Sequence, residues 1–353
     1  MTSSGMATVS CVFSFRGRLK TVCYYWFTPP KQRGFFYPKI VLLCFYMSKI
    51  LVTGGAGFIG STLVDKLINE GHQVVVIDDL SSGKKDYVNP QAKLYEIDIC
   101  SPKIAKIFQK EKFDFVYHLA AQIDVRKSVS DPAYDNKINA LGGLNIIVNA
   151  HASGVKKIIF ASTGGAIYGE AEEIPTTESS PTYPVSPYGI HKLTVEKYLN
   201  YYYQVYGLNY TVLRFANVYG PRQFKGGEAG VIAIFIDNAV KGLESLQFGD
   251  GLQTRDFVYV DDVVRGLFSA LNIDCQGEIN IGSGVETNLL EICSNIEKAI
   301  DGPMKVKEMP GKPGEQRRSC LSFERARAVL NWEPSVNITE GIKRTITWAQ
   351  SQK

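Results

Sequence analysis

Between an apolar run ending at Thr53 and a helix-spaced run beginning at Phe58 stands Gly54-Gly55-Ala56-Gly57-Phe58-Ile59-Gly60, four glycines in seven residues. No other segment constrains the fold as tightly. It fits GxGxxG through Gly55, Gly57 and Gly60, and TGxxGxxG through Gly54, Gly57 and Gly60. Glycines at these spacings permit a tight turn and let backbone N–H groups approach a pyrophosphate at the start of the following helix. A glycine motif alone is a weak signal. Here it lies between strand and helix, as a dinucleotide fingerprint requires. The competing reading is a turn that merely connects two elements.

Gln73 to Asp78 carries Val74-Val75-Val76-Ile77, a buried strand, so strand, helix and strand make one βαβ unit. Asp78 ends the second strand. A carboxylate there accepts from ribose hydroxyls and repels a 2′-phosphate, which favours NAD over NADP. Asp79 is the competing candidate and reads as an acid solvated in a loop. The alternation continues with strand-like segments at Lys93 to Glu96, Phe115 to His118, Lys157 to Ala161 and Tyr210 to Phe215. Helical segments at Pro102 to Lys110, Pro132 to Ser153 and Pro187 to Tyr206 separate them. This predicts an α/β fold with a doubly wound parallel sheet covered on both faces. After about Asn217 the elements shorten and Gly and Arg become more frequent. The expected organisation is a dinucleotide-binding domain over 47–217 and a smaller, mainly substrate-binding region over 218–353, with some segments returning to the first domain.

Residues 1–46 do not fit this pattern. They are crowded with aromatic residues, broken by Pro29, Pro30 and Pro38, and carry six basic residues and no acid. They share their charge with transit peptides but not their aromatic content. Met47 reads as the start of the first strand, so the extension is expected to be disordered or untranslated, with a targeting or docking arm as the alternative. Much of the net charge of +4 sits there, so the charge does not point to nucleic acid. The seven cysteines are odd in number and widely spaced, without CxxC. That argues against a disulfide framework or a zinc site and for a reducing compartment, hence a cytoplasmic protein. No stretch reaches the roughly 18 apolar residues needed to span a bilayer.

Tyr188 and Lys192 stand at i and i+4 in Ser186-Pro187-Tyr188-Gly189-Ile190-His191-Lys192, sharing a face on a helix. An unperturbed Tyr titrates near 10. A neighbouring ammonium and a nicotinamide charge would favour the phenolate and give a base usable near neutrality. YxxxK alone is common on solvated helices; its meaning comes from the dinucleotide turn upstream and from Ser162-Thr163 at a strand end.

These features resemble the extended short-chain dehydrogenase/reductase family, and within it the UDP-glucose 4-epimerases. The resemblance covers Met47 to Lys353. It rests on Thr53 to Gly60, Asp98-Ile99, His118 to Gln122, Asn139, Ser162 to Gly169, Tyr188 to Lys192, Arg214 to Gln223 and Gly249 to Asp262. It implies a Rossmann fold, NAD as cofactor and a UDP-sugar as substrate. By position, Gly54, Gly57, Phe58, Ile59 and Gly60 would face the pyrophosphate. Asp98 and Ile99 would contact the adenine, and Leu119, Ala120 and Ala121 would lie beneath the nicotinamide half. Asn139 would stand beside the active site. Thr163 is the preferred catalytic hydroxyl, with Ser162 in reserve. His191 replaces the Ser common before the catalytic Lys and reads as a helix residue without a role.

On the substrate side, the resemblance implies that Asn217 and Arg255 hold the nucleotide diphosphate, where a guanidinium suits paired hydrogen bonds. Arg222 is either a further contact or a structural salt bridge. Lys312-Pro313-Gly314-Glu315 is similar to the family's RxGD segment, and Glu315 would accept from the nucleotide ribose. Ser319 falls near the position beside the sugar, where a small residue leaves room for an N-acetyl group. Sugar-nucleotide 4,6-dehydratases place an Asp-Glu pair after the Thr, but here Gly164-Gly165 follows Thr163. Other UDP-sugar epimerases, decarboxylases and a non-catalytic NAD-binding regulator stay open. A homodimer is implied through the helices from Pro132 and Pro187, with Tyr198, Tyr201 and Tyr202 in the interface or packed on the sheet.

Overall fold

The computed structural model describes residues 12–15, 19–24, 41–223, 230–311 and 316–352. Seven strands form one parallel sheet in the order Glu278–Ile281, Asn209–Phe215, Lys157–Thr163, Phe115–His118, Lys49–Thr53, Gln73–Asp78, Lys93–Glu96. The fold is the expected doubly wound α/β architecture. Strand order reverses between Lys49–Thr53 and Phe115–His118, and a crevice beyond the carboxyl ends of strands at such a point is where these sheets bind ligands.

Period-two alternation divides the core. Ile50, Val52, Val74, Val76, Ile159 and Leu213 bury one face of the sheet under the helix Phe58–Asn69, through its Leu63, Val64 and Leu67. Leu51, Val75, Val116, Ile158, Phe160 and Val212 bury the other face under Ile104–Glu111, Gly143–Ala152 and Pro187–Tyr206. Strands apolar on both sides are what a sheet covered on both faces demands. The first core is shared with the C-terminal half. Leu267 from Val260–Leu271, Ile292 from Leu289–Ile300 and Ile342 from Ile338–Ser351 all join it. A smaller sheet of Asn217–Tyr219, Thr254–Tyr259 and Glu286–Asn288 lies in that half.

Before Met47, in the extension expected to be disordered or untranslated, Val12–Phe15, Leu19–Tyr24 and Val41–Tyr46 form an antiparallel three-stranded sheet. These runs are rich in β-branched and aromatic residues, which favour pleated structure, and the three prolines fall outside them. The single helix expected from Pro132 to Ser153 is an α-helical turn Pro132–Asp135, a π-helical stretch Asn136–Gly142 and an α-helix Gly143–Ala152. The widening coincides with Asn139, whose side chain is engaged by a neighbouring loop, and π-turns recur at functional sites.

A buried charged network ties the sheet to the long helix Pro187–Tyr206. Arg214 Nη2 donates to Glu196 Oε2 at 2.6 Å, and Ser162 Oγ donates to Glu196 Oε1 at 2.6 Å. Arg214 Nη1 donates to the Tyr168 hydroxyl, which donates to Asn280 Oδ1 at 2.8 Å. Glu196 is 0% and Arg214 3% exposed. Removing one partner strands the other charge. Arg214→Met should therefore lower unfolding free energy by about 3–5 kcal/mol in urea denaturation; a loss below about 1 kcal/mol would contradict this account.

Candidate active site

The glycine turn is built by close approach. Gly54 has φ +74°, and a Cβ there would meet the Ala120 nitrogen at 2.7 Å. A Cβ on Gly60 would meet the Gly54 carbonyl oxygen at 2.0 Å. Gly57 precedes the helix Phe58–Asn69, and no side chain caps it. The amides of its first turn, at Phe58, Ile59 and Gly60, therefore point out of the helix end. Asp78 is buried, accepting from Ala56 N and Leu80 N at 2.9 Å each. Burial pushes its carboxyl up, and these two hydrogen bonds oppose the shift. Each carboxylate oxygen keeps further acceptor capacity for a ribose. Asp79 is exposed, and its carboxylate takes the amide and hydroxyl of Ser81. The cradle fits a dinucleotide: a turn too tight for any Cβ at Gly54 or Gly60 sets helix-end amides beside a buried acid.

Asp98 Oδ1 accepts from Cys100 N, and Ile99 is buried against Gly142. Leu119 and Ala120 press on Gly54, with Ala120 N donating to Thr53 Oγ1 at 3.2 Å and half-buried Ala121 following. Asn139 is buried, accepting from Gln122 N and donating to Gln122 O and to Asp135 Oδ1. These bonds shape the 119–122 loop.

Ser186 caps the helix Pro187–Tyr206 by accepting from Gly189 N. A Cβ on Gly189 would lie 2.6 Å from the Ala166 carbonyl, so this helix end presses on the turn that follows Thr163. Tyr188 is half-buried on the first turn and Lys192 is 3% exposed one turn on. Lys192 Nζ sits 4.2 Å above the Phe160 ring. Burial brings Lys192 down to about 7 against the pull of Glu196 and Asp135. Burial, and then the Asp135 carboxylate, push the Tyr188 phenol up. In the bare protein burial thus opposes both charged states, and the expected help to the phenolate comes from the ammonium together with the nicotinamide charge. His118 falls to about 3 through burial and the Lys192 charge, so it stays neutral, within 2.7 Å of Thr53 Oγ1 through Nδ1.

Ser162 and Thr163 separate cleanly. Ser162 is buried and donates to Glu196 Oε1 at 2.6 Å. Gly165 lies beside Thr163: a Cβ there would be 4.0 Å from Thr163 Oγ1 and 3.9 Å from Asn217 Oδ1, so these two polar groups converge on one open space. Asn217 is in register with Phe257, two residues after Arg255, so Asn217 and Arg255 project from one face of the smaller sheet. Arg222 Nη1 donates to Asp65 Oδ2 at 2.8 Å and its guanidinium lies over Tyr87, the salt bridge that was one of its two expected alternatives. Glu315 and its neighbours 312–314 lie outside the described residues; Ser319 is half-buried.

Two acids escaped the sequence reading. Asp256 is buried beside Arg255 and accepts from Ser283 N and Leu321 N, pinning two C-terminal loops. Asp135, fully buried, accepts from Gln122 Nε2 at 2.7 Å and Asn139 Nδ2 at 3.0 Å, and pairs with His191 Nδ1 at 2.5 Å. Its only sequence signal was its i, i+4 spacing to Asn139. His191 accordingly has a specific partner.

The family described as NAD dependent epimerase/dehydratase matches residues 50–282. A putative UDP-glucose 4-epimerase of Methanocaldococcus jannaschii is 44% identical over 303 residues, covering 86% of this chain and 98% of its own length. The UDP-glucose 4-epimerase of Thermotoga maritima, solved with UDP-glucose, is 45% identical at a TM-score of 0.84, with 86% of this chain and 99% of that one covered. The Thermus thermophilus UDP-glucose 4-epimerase, solved with NAD, is 39% identical at a TM-score of 0.83, with 86% and 100% covered.

Gly60→Ala should displace the Gly54 carbonyl and empty the cradle. Nucleotide released from the denatured variant, measured by chromatography, should fall well below one equivalent; full retention would overturn the close-approach account.

Proposed function

From the premise that the chain belongs to the NAD-dependent epimerase/dehydratase family, we propose that it interconverts the C4 epimers of a UDP-hexose, UDP-glucose and UDP-galactose first, through a transient 4-keto sugar. The observation that carries this reading is the convergence of Thr163 and Asn217 on the space left by Gly165, below the helix that presents Tyr188 and Lys192. Tyr188 takes the proton of the sugar 4-hydroxyl and returns it, with Thr163 orienting that hydroxyl. NAD, held by the turn from Gly54 to Gly60 and by Asp78, would supply the reversible hydride acceptor for C4. Lys192 holds Tyr188 anionic and fixes the nicotinamide ribose. Asn217 and Arg255 grip the diphosphate away from the reacting carbon, so binding energy retains the keto sugar while it turns over. Glu315 would accept from the nucleotide ribose.

Elimination to a 4,6-dehydratase product needs an acid after Thr163, where Gly164 and Gly165 stand. The small Ser319 supports tolerance of N-acetyl hexoses. No helix among the described residues is long and apolar enough to cross a membrane, and free thiols at Cys100, Cys275, Cys293 and Cys320 accord with a cytoplasmic site. Leu141, Val148, Tyr198, Tyr201 and Val205 are exposed along the helices at Asn136–Ala152 and Pro187–Tyr206, an apolar face that supports a homodimer.

Incubating the protein with a panel of UDP-hexoses without added NAD should convert UDP-galactose and UDP-glucose into each other and release no NADH. Net oxidation or decarboxylation would favour another member of the family. Tyr188→Phe should lower turnover by 100-fold or more, on the order of general-base contributions, while NAD stays bound; retained activity would end this mechanism. UDP-GlcNAc left untouched at high enzyme concentration would remove the N-acetyl reading.

A further inference from the structure

Asp135 has no part in the proposed cycle, yet it is fully buried and pairs with His191, which stands between Tyr188 and Lys192 on the helix Pro187–Tyr206, and its charge acts on both. One of its oxygens is occupied by Gln122 Nε2 and Asn139 Nδ2, two neutral donors. The other faces His191 Nδ1 at 2.5 Å. A carboxylate only accepts, so Nδ1 carries the proton toward it. The charge of the pair then depends on the second imidazole nitrogen: minus one when that nitrogen is bare, zero when it is protonated. The His191 side chain is 13% exposed, so the ring reaches water while the acid does not.

The surrounding charges leave this pair as the variable one. On the helix Pro187–Tyr206, Lys192 is held between Asp135 and Glu196, and Glu196 is committed to Arg214. At the strand end His118 stays neutral. On Val125–Ser130 and the turn before it, Arg126 and Lys127 are exposed, and Asp124 caps that helix by accepting from Lys127 N. Asp131, Tyr134 and Lys137 lie on the element of Asp135 or next to it, Asp131 as its cap and the other two exposed. Exposed charges are screened by water and salt.

We propose that His191 is a positioning residue whose imidazolium offsets the buried Asp135 carboxylate and so eases formation of the Tyr188 phenolate. Asp135 orders the Gln122 loop and the π-helical stretch, at the cost of negative charge beside a phenol that must itself become negative. His191 cancels that charge without loosening the loop. This rests on the epimerase reading only for the use of Tyr188 as base.

The test is a near-ultraviolet pH titration of the NAD-bound protein, taken as the difference between each background and the same background carrying Tyr188→Phe. The subtraction isolates one phenol among the 19 tyrosines. His191→Asn should move the Tyr188 midpoint upward and Asp135→Asn should move it downward, each on the order of one pH unit, the scale of a unit charge acting across several ångströms of partly buried protein. His191→Lys, which restores a cation, should bring the midpoint back toward wild type. The acid limb of the kcat profile should move in the same senses. A site merely loosened by mutation would move both single variants in one direction or neither, and either result overturns the proposal. Should Asp135→Asn fail to fold, His191→Asn and its Lys rescue decide alone. The absorbance change needs no sugar, so absence of UDP-hexose turnover would defeat the functional reading and leave this one standing. Absence of the shift would do the reverse.

Discussion

Thr53 Oγ1 is the point on which the site depends. It touches His118 Nδ1 at 2.7 Å and accepts from Ala120 N, so one hydroxyl joins the carboxyl ends of the two central strands. Gly54 then leaves its strand with positive φ and rests directly on the Leu119–Ala120 backbone. The glycine turn and the Leu119–Ala120 backbone are consequently one rigid object. Buried groups held this way are costly to disturb, because each loses a partner that water cannot replace.

The helix Pro187–Tyr206 is attached to that object by a different means. Glu196 and Arg214 lock it to the sheet through buried charge, and Gly189 seats its first turn on the Ala166 carbonyl. Tyr188 and Lys192 inherit their placement from these two anchors. The same burial that fixes them opposes their charged states, the phenol rising and the ammonium falling to about 7. An ion pair across the active site is thus something the bare protein resists, and the neighbouring charges acquire mechanistic weight.

Much of this was legible in the residues. Lys49–Thr53, Phe58–Asn69 and Gln73–Asp78 stand where apolar periodicity places them, because in each the pattern is uninterrupted and glycines mark the ends. The seventh strand, Glu278–Ile281, was not seen: four residues carry too little periodicity, and its pairing with Asn209–Phe215 is a long-range fact. The division between Ser162 and Thr163 needed the strand's two faces to be assigned. Arg222 was left between a substrate contact and a salt bridge because nothing local shows that Asp65 lies opposite it. Asp135 and Asp256 were hidden for a related reason, since a buried acid is recognised by partners that come from elsewhere in the chain.

The seventh strand has a consequence for how this molecule can be divided. It extends the sheet past Asn209–Phe215, and the helices that follow Asn217 cover the apolar face under Ile159 and Leu213. The nucleotide-binding half is therefore not a cassette. Cut free near residue 217, it would carry a bare strand edge and an uncovered hydrophobic face, both of which invite self-association. Exchange of parts between such proteins must cross the chain within loops of the second half, leaving Glu278–Ile281 with the sheet it completes.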